Sequence, residues 1–252
     1  MVSGIWVILV RAPRPSTYVS DDMSLPLSVS ELRQIPCFAP APDSALQEVL
    51  DHQRMVSIAT GQTLVMETDW GESVMVLLEG LAKVRSFNSD GEEIVYSLLG
   101  CGDLLGEIAV LDGDSRSADV ISLSSAKLLK LQGSSFLRLL RTSPDLSLSL
   151  ARLQARRLRD INNRFAIQRS DATSRILFTL AYIAIKSSVN QDPLAIIPPL
   201  SLGEVAIIAG MARETASRVM SKLRNKGLVV EAQGCLRLAS MAPLQARGIW
   251  PA

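Results

Sequence analysis

Residues 102–119 read G-D-L-L-G-E-I-A-V-L-D-G-D-S-R-S-A-D, and they hold the densest chemistry in the chain. Gly106 precedes Glu107, and nine positions after Glu107 comes Arg116, followed by Ser117. A glycine lets backbone approach a phosphate closely. A helical turn that starts at Gly106 aims free N–H groups at an anion. Arg116 can pair with that anion bidentately, and Ser117 adds a hydroxyl donor. Glu107, acceptor-only when ionised, suits sugar hydroxyls, and Ile108 stands beside it as an apolar neighbour. The set describes a seat for a phosphorylated sugar. The competing reading is a glycine-rich surface loop with a solvated Glu–Arg pair.

A second set lies near the C-terminus. Ser201-x-x-Glu204 before Val205 has the form of a capping box and predicts a helix over residues 202–209, stopped by Gly210. A second helix is predicted over residues 212–226, stopped by Gly227. Two short helices joined by a tight glycine turn make a helix-turn-helix. Residues 228–230 and 236–238 flank Gln233-Gly234 as a two-stranded wing. On the second helix Val219 and Leu223 are expected to face inward. Arg213, Glu214 and Arg218 sit toward its N-terminal half, the half that enters the major groove in such motifs. Arginine matches guanine O6 and N7, and glutamate can accept from cytosine N4. Thr215, Ser217, Lys222 and Ser201 suit phosphates, which position without specifying. The alternative is an amphipathic helix with a solvated charged face.

The elements that must hold these groups can be read from periodicity. Residues 28–54 carry cap residues and periodic apolar positions around Ser30 and Asp43, broken by Pro36, Pro40 and Pro42. From residue 55 to 131, short Val/Ile/Leu runs alternate with glycine turns. Residues 74–78, 81–86, 93–98 and 119–123 read as strands, with Asp90-Gly91 as a hairpin turn. That pattern is an antiparallel sandwich or roll, with no βαβ unit. Ser143-Pro144-Asp145 then opens a helix of about 25 residues. Leu150, Leu153, Leu158, Ile161 and Phe165 form a broken apolar seam on it, interrupted over residues 154–157. Such a seam supports a two-chain contact, so a homodimer is expected along it, with Asn162 and Asn163 in the seam region. Asp171 restarts a helix that runs to about Ser187, and residues 187–199 form a Pro-containing loop.

Composition narrows the function. The chain has 252 residues, 48% of them hydrophobic, and a formal net charge of +1. From residue 173 onward there are nine Lys/Arg against four Asp/Glu; the remainder carries 17 against 21. A basic C-terminal part on a mildly acidic body points to an anionic partner for that part alone. Cys37, Cys101 and Cys235 are scattered and give neither a disulfide framework nor a zinc site. His52 is the sole histidine, which argues against a His-rich metal site and a Ser-His-Asp triad. No G-x-S-x-G or paired-acid constellation supports a hydrolase, so no enzyme is expected and no metal. No apolar run approaches a membrane span, and residues 4–10 make no convincing signal peptide. The expected place of action is the cytoplasm. Residues 1–27 read as a disordered extension, with Met23 as a possible start.

G-E-x-A-x-L-D-x-x-x-R-S-A resembles the phosphate-binding cassette of cyclic-nucleotide-binding domains, with Gly106, Glu107, Ala109, Leu111, Asp112, Arg116, Ser117 and Ala118 all matching. R-E-T-x-x-R resembles the recognition helix of the cAMP receptor protein / fumarate-nitrate regulator (Crp/Fnr) family. The resemblance covers roughly residues 29–238. It implies an α+β chain: an antiparallel β-roll of double-stranded β-helix type over residues 28–142, a dimerisation helix over 143–170 and a winged helix-turn-helix over 171–252. It further implies that Glu107 holds a ribose hydroxyl and Arg116 a cyclic phosphate. The homodimer would read palindromic DNA with a G-T-G-A core in each half-site, and RNA polymerase would be a partner. An iron–sulfur sensor would need clustered N-terminal cysteines, and a haem sensor axial ligands; neither is evident. The layout also resembles the cyanobacterial nitrogen regulators, which bind 2-oxoglutarate and are expected to lack the cassette Glu. The expected effector is cAMP or a related cyclic nucleotide, with a different effector or none as the alternative. In cAMP-responsive relatives a Thr followed by Ser or Asn meets the adenine, partly across the dimer. Ile161 and Asn162 occupy those positions here, so adenine recognition would rest on Asn162. A regulatory module attached to an enzyme or channel is the rival that the helix-turn-helix argues against.

Overall fold

The computed structural model describes residues 20–21, 26–232 and 234–249. The N-terminal extension expected from the sequence lies almost wholly outside them. β1 (Ser20–Asp21), α1 (Val29–Gln34) and α2 (Asp43–Leu50) precede a run of strands: β2 (Arg54–Ile58), β3 (Thr63–Val65), β4 (Ser73–Glu79), β5 (Ala82–Phe87), β6 (Glu93–Leu99) and β7 (Leu104–Leu105). The short α3 (Glu107–Asp112) leads into β8 (Asp119–Ser122), β9 (Ala126–Gln132), α4 (Gly133–Thr142) and the long α5 (Pro144–Ile167). Then come α6 (Ala172–Ser187), α7 (Leu202–Ile208), α8 (Arg213–Asn225), β10 (Val229–Ala232), β11 (Cys235–Leu238) and α9 (Ala242–Gln245).

Two antiparallel sheets form the roll, one ordered β1-β2-β9-β4-β7 and the other β3-β8-β5-β6. Successive strand side chains point to opposite faces, and β4 uses both. Met75 and Leu77 join Val56, Leu99, Leu105 and Leu128 between the sheets. Val74 and Val76 join Leu32, Phe38, Leu46, Phe136, Leu146 and Leu150 behind the first sheet, where α1, α2, α4 and the start of α5 cover it. Asp90-Gly91 does lie in the β5–β6 hairpin, and Asn88 organises the turn by accepting from the backbone N–H of Asp90 and Glu92. α1 is capped by Ser28, in a full box with Glu31, and not by Ser30. α2 starts after Pro42, with Asp43 inside its first turn.

α5 begins with Pro144 as its first residue, and Asp171 caps α6 by accepting from Thr173 and Ser174 N–H. The third core belongs to α6, α7, α8 and the wing, yet it includes Leu81, Val95, Leu98 and Leu123 from the roll. Polar ties reinforce that junction. Tyr182 accepts from the Leu98 N–H at 3.2 Å. Arg164, buried on α5, donates to the carbonyls of Val95 and Ile208 and lies over the Tyr182 ring. Lys83 on β5 is 3% exposed and pairs with Glu93 of β6 at 2.6 Å and Glu204 of α7 at 2.8 Å.

Candidate functional site

The cassette is shaped by two left-handed glycines. Gly106 caps the start of α3 at φ +77° and Gly113 ends it at φ +76°, a region only glycine enters freely. Glu107 and Arg116 are 1% and 5% exposed. The Arg116 guanidinium donates to the Gly106 carbonyl and, at 2.7 Å, to the Ser73 carbonyl. It lies so close over Gly71 and Gly106 that a Cβ at either would collide with it. Its backbone is held as well: Arg116 N–H donates to Asp69 and its carbonyl accepts from Thr68. Burial pulls the Arg116 pKa down, while Glu107 and Asp69 push it up; the group stays a cation.

Glu107, Arg116, exposed Ile108 and exposed Ser117 all line one cavity of about 450 Å³ between β5, β6 and α5. Val84, Tyr96 and Leu99 form its sheet wall; Gln154, Arg157, Leu158 and Ile161 form its helix wall. On the helix wall, Gln154 and Arg157 lie outside the site expected from the sequence. Gln154 donates to Glu107 Oε1 at 2.8 Å, and Arg157 donates to the same oxygen at 2.5 Å and to the Leu104 carbonyl. They are the residues that interrupt the apolar seam, and that interruption was their only signal in the sequence. Asn162 is exposed and does not line the cavity of its own chain.

The seam divides. Leu150 is buried in its own chain's core, and Leu153 packs partly against it, because this first part of α5 covers the roll. Leu150 is therefore not offered to a second chain. Leu158, Ile161 and Phe165 remain 60%, 40% and 68% exposed.

In the C-terminal unit α7 ends before Gly210, at φ +62°. Arg175 of α6 donates to the carbonyls of Ala209 and Gly210 and so fixes the turn. Ser201 accepts from the Glu204 N–H, but the box is half made, since the Glu204 carboxylate is drawn to Lys83 instead. On α8 the buried face is Ala216, Met220 and Leu223, and Val219 packs partly buried against the same core, so the expected pair Val219 and Leu223 does face inward. Arg213, Glu214, Ser217, Arg218 and Lys222 are exposed, and Arg218 reaches Thr215 Oγ1 at 3.4 Å. Ser201 is exposed at the start of α7. Among the described residues no His/Cys/Asp/Glu group could hold a metal, and no helix is long and apolar enough to cross a membrane.

Residues 55–143 match the model of the cyclic nucleotide-binding domain, and residues 174–247 match the Crp-like helix-turn-helix domain. The chain belongs to the Crp family. Its relatives there are transcription regulators and not enzymes. It is similar to the Cyclic AMP receptor protein of Thermus thermophilus, 28% identical over 186 residues, 73% of this chain and 83% of that one. It is also similar to the cAMP-activated global transcriptional regulator CRP of Salmonella typhimurium, 26% identical over 192 residues, 75% and 91% of the two chains. Among solved structures, FixK2 from Bradyrhizobium japonicum shares the fold at a TM-score of 0.67 and 18% identity, over 77% of this chain and 96% of that one. The c-di-GMP responsive regulator CLP of Xanthomonas campestris does so at a TM-score of 0.63 and 21% identity, over 79% and 100%. This Crp-family chain thus carries both units of a regulator, a cyclic nucleotide-binding domain and a DNA-binding helix-turn-helix.

Proposed function

We propose that this chain acts in the cytoplasm as a homodimeric transcription regulator whose grip on palindromic DNA is set by a cyclic nucleotide, cAMP foremost. One observation carries the reading: a buried carboxylate and a buried guanidinium, Glu107 and Arg116, open into the same cavity, and α5 closes that cavity. The cyclic phosphate pairs with Arg116, Ser117 and the N–H groups of α3; the ribose hydroxyl donates to Glu107; the base lies toward Leu158 and Ile161, with Asn162 supplied from the dimer. No prosthetic group is needed. Because Gln154 and Arg157 hold Glu107 from α5, ligand that engages Glu107 also moves the helix that carries the dimer face. Ligand then favours the arrangement in which two α8 helices stand one DNA turn apart, about 34 Å. Arg213, Glu214 and Arg218 read a TGTGA-type half-site, Thr215, Ser217, Lys222 and Ser201 hold phosphates, and RNA polymerase is the downstream partner.

Ile161 cannot hydrogen-bond adenine, and this favours keeping a second reading: the same regulator with another effector, such as 2-oxoglutarate. Calorimetry with cAMP, cGMP and 2-oxoglutarate decides between them. Arg116→Ala should weaken cyclic nucleotide binding ~10–100-fold, the value of one charge-assisted bond. Unchanged affinity, or heat from 2-oxoglutarate alone, overturns the cyclic nucleotide assignment.

A further inference from the structure

A second polar cleft, of about 470 Å³, lies between α5, the β6–β7 turn at Gly100–Asp103 and the end of α6. Its charges are unbalanced: Arg152, Arg156, Arg157, Arg159 and Lys186 line it against two carboxylates, Asp103 and Asp160. Those two carboxylates are already engaged at the base. Lys186 pairs with Asp103 at 3.3 Å and Asp160 at 3.8 Å, and Arg157 reaches Asp103 at 3.8 Å. Arg152, Arg156 and Arg159 are exposed, and their side chains make no hydrogen bond, ion pair or ring contact among the described residues. They follow one another at i, i+4 and i+7 on one helix face, where like charges repel by ~0.2–0.5 kcal/mol per pair. At ~100° per residue this face lies roughly 100–180° around α5 from Leu158, Ile161 and Phe165, so a dimer on the apolar face leaves it free.

We propose that this cleft binds a small anion carrying two or more linked phosphates. Three guanidinium forks spread over ~10 Å of helix match several phosphate groups better than one, and guanidinium pairs with phosphate bidentately. The site is separate from the cassette: Arg116 and Ser117 do not line it. Arg157 lines both cavities, so an anion here acts on the guanidinium that also holds Glu107. The assignment stands whatever ligand the cassette takes.

Inorganic tripolyphosphate is the probe, with ATP as a second arm, and calorimetry on the full chain is the readout. The variants are Arg152→Ala/Arg156→Ala/Arg159→Ala together, Arg116→Ala, and Arg213→Ala/Arg218→Ala. All three arginines of the triple variant are exposed, and circular dichroism with thermal unfolding checks that it remains folded. The expected result is binding by the parent, Arg116→Ala and Arg213→Ala/Arg218→Ala forms, weakened at least ~10-fold in the triple variant, as the loss of charge-assisted bonds requires. Heat from ATP that depends on the same three residues makes a nucleoside polyphosphate the ligand source; heat from tripolyphosphate alone makes it an inorganic one. No heat from either, or binding that survives the triple variant and disappears with Arg116→Ala or Arg213→Ala/Arg218→Ala, overturns the proposal by placing the anion nowhere, in the cassette or on the DNA-reading face.

Discussion

Glu107 shows how much one buried charge depends on its neighbours. It is nearly inaccessible, and its Oε1 accepts from both Gln154 and Arg157. Removing one partner of a buried pair strands the other, which costs ~3–5 kcal/mol. Arg157→Ala should therefore lower stability by ~3 kcal/mol, and cAMP should restore part of the loss because a ribose hydroxyl donates to the same carboxylate; thermal unfolding with and without cAMP measures both. At this scale the sequence was uneven in what it told. Gly106, Glu107, Arg116 and Ser117 are contiguous enough to be read as one seat. Gln154 and Arg157 lie some 50 positions away from Glu107, and a polar break in an apolar stripe does not say what it faces until the sheet is placed against it.

At the scale of elements, α5 performs two jobs in sequence. Its first turns bury Leu146 and Leu150 against the roll, and its later turns expose Leu158, Ile161 and Phe165. A 3.6-residue period shows one apolar stripe and cannot divide it between the chain's own core and a partner, so buried Leu150 and exposed Leu158 look alike in the sequence. Leu158→Glu or Phe165→Glu places a charge in the proposed seam, and light scattering should then report a monomer with secondary structure intact. The helix-turn-helix was legible because its caps and glycines are local signals: Ser201 starts α7, and Gly210 and Gly227 follow the ends of α7 and α8 in the left-handed region. Its tie to the roll was not, because Lys83 and Glu204 lie 121 positions apart. Lys83→Met removes the cation that faces both Glu93 and Glu204. It should cost ~3 kcal/mol and raise the hydrogen exchange of α7 and β6 together, whereas an exchange change confined to β5 would contradict the tie.

Over the whole molecule, the roll and the C-terminal helices are joined by one of the three cores. The roll's Val95 and Leu98 share a core with α6, α7 and α8, and Arg164 spans the same junction from α5. The C-terminal part is basic, and Arg213, Glu214, Ser217, Arg218 and Lys222 stand exposed on α8, as the proposed reading of DNA requires. Arg218→Ala should weaken binding to a TGTGA-N6-TCACA duplex by ~1–3 kcal/mol and leave the smaller affinity for scrambled duplex nearly as it was.

Fluorescence anisotropy of that labelled palindrome, titrated with the full chain in the absence and presence of cAMP and repeated with Arg116→Ala, tests the link between cavity and DNA most directly. The account predicts tight binding to the palindrome over a scrambled duplex only when cAMP is present, and loss of that cAMP response in Arg116→Ala. Equal affinity for palindrome and scrambled duplex, or a cAMP response that persists without Arg116, would contradict it.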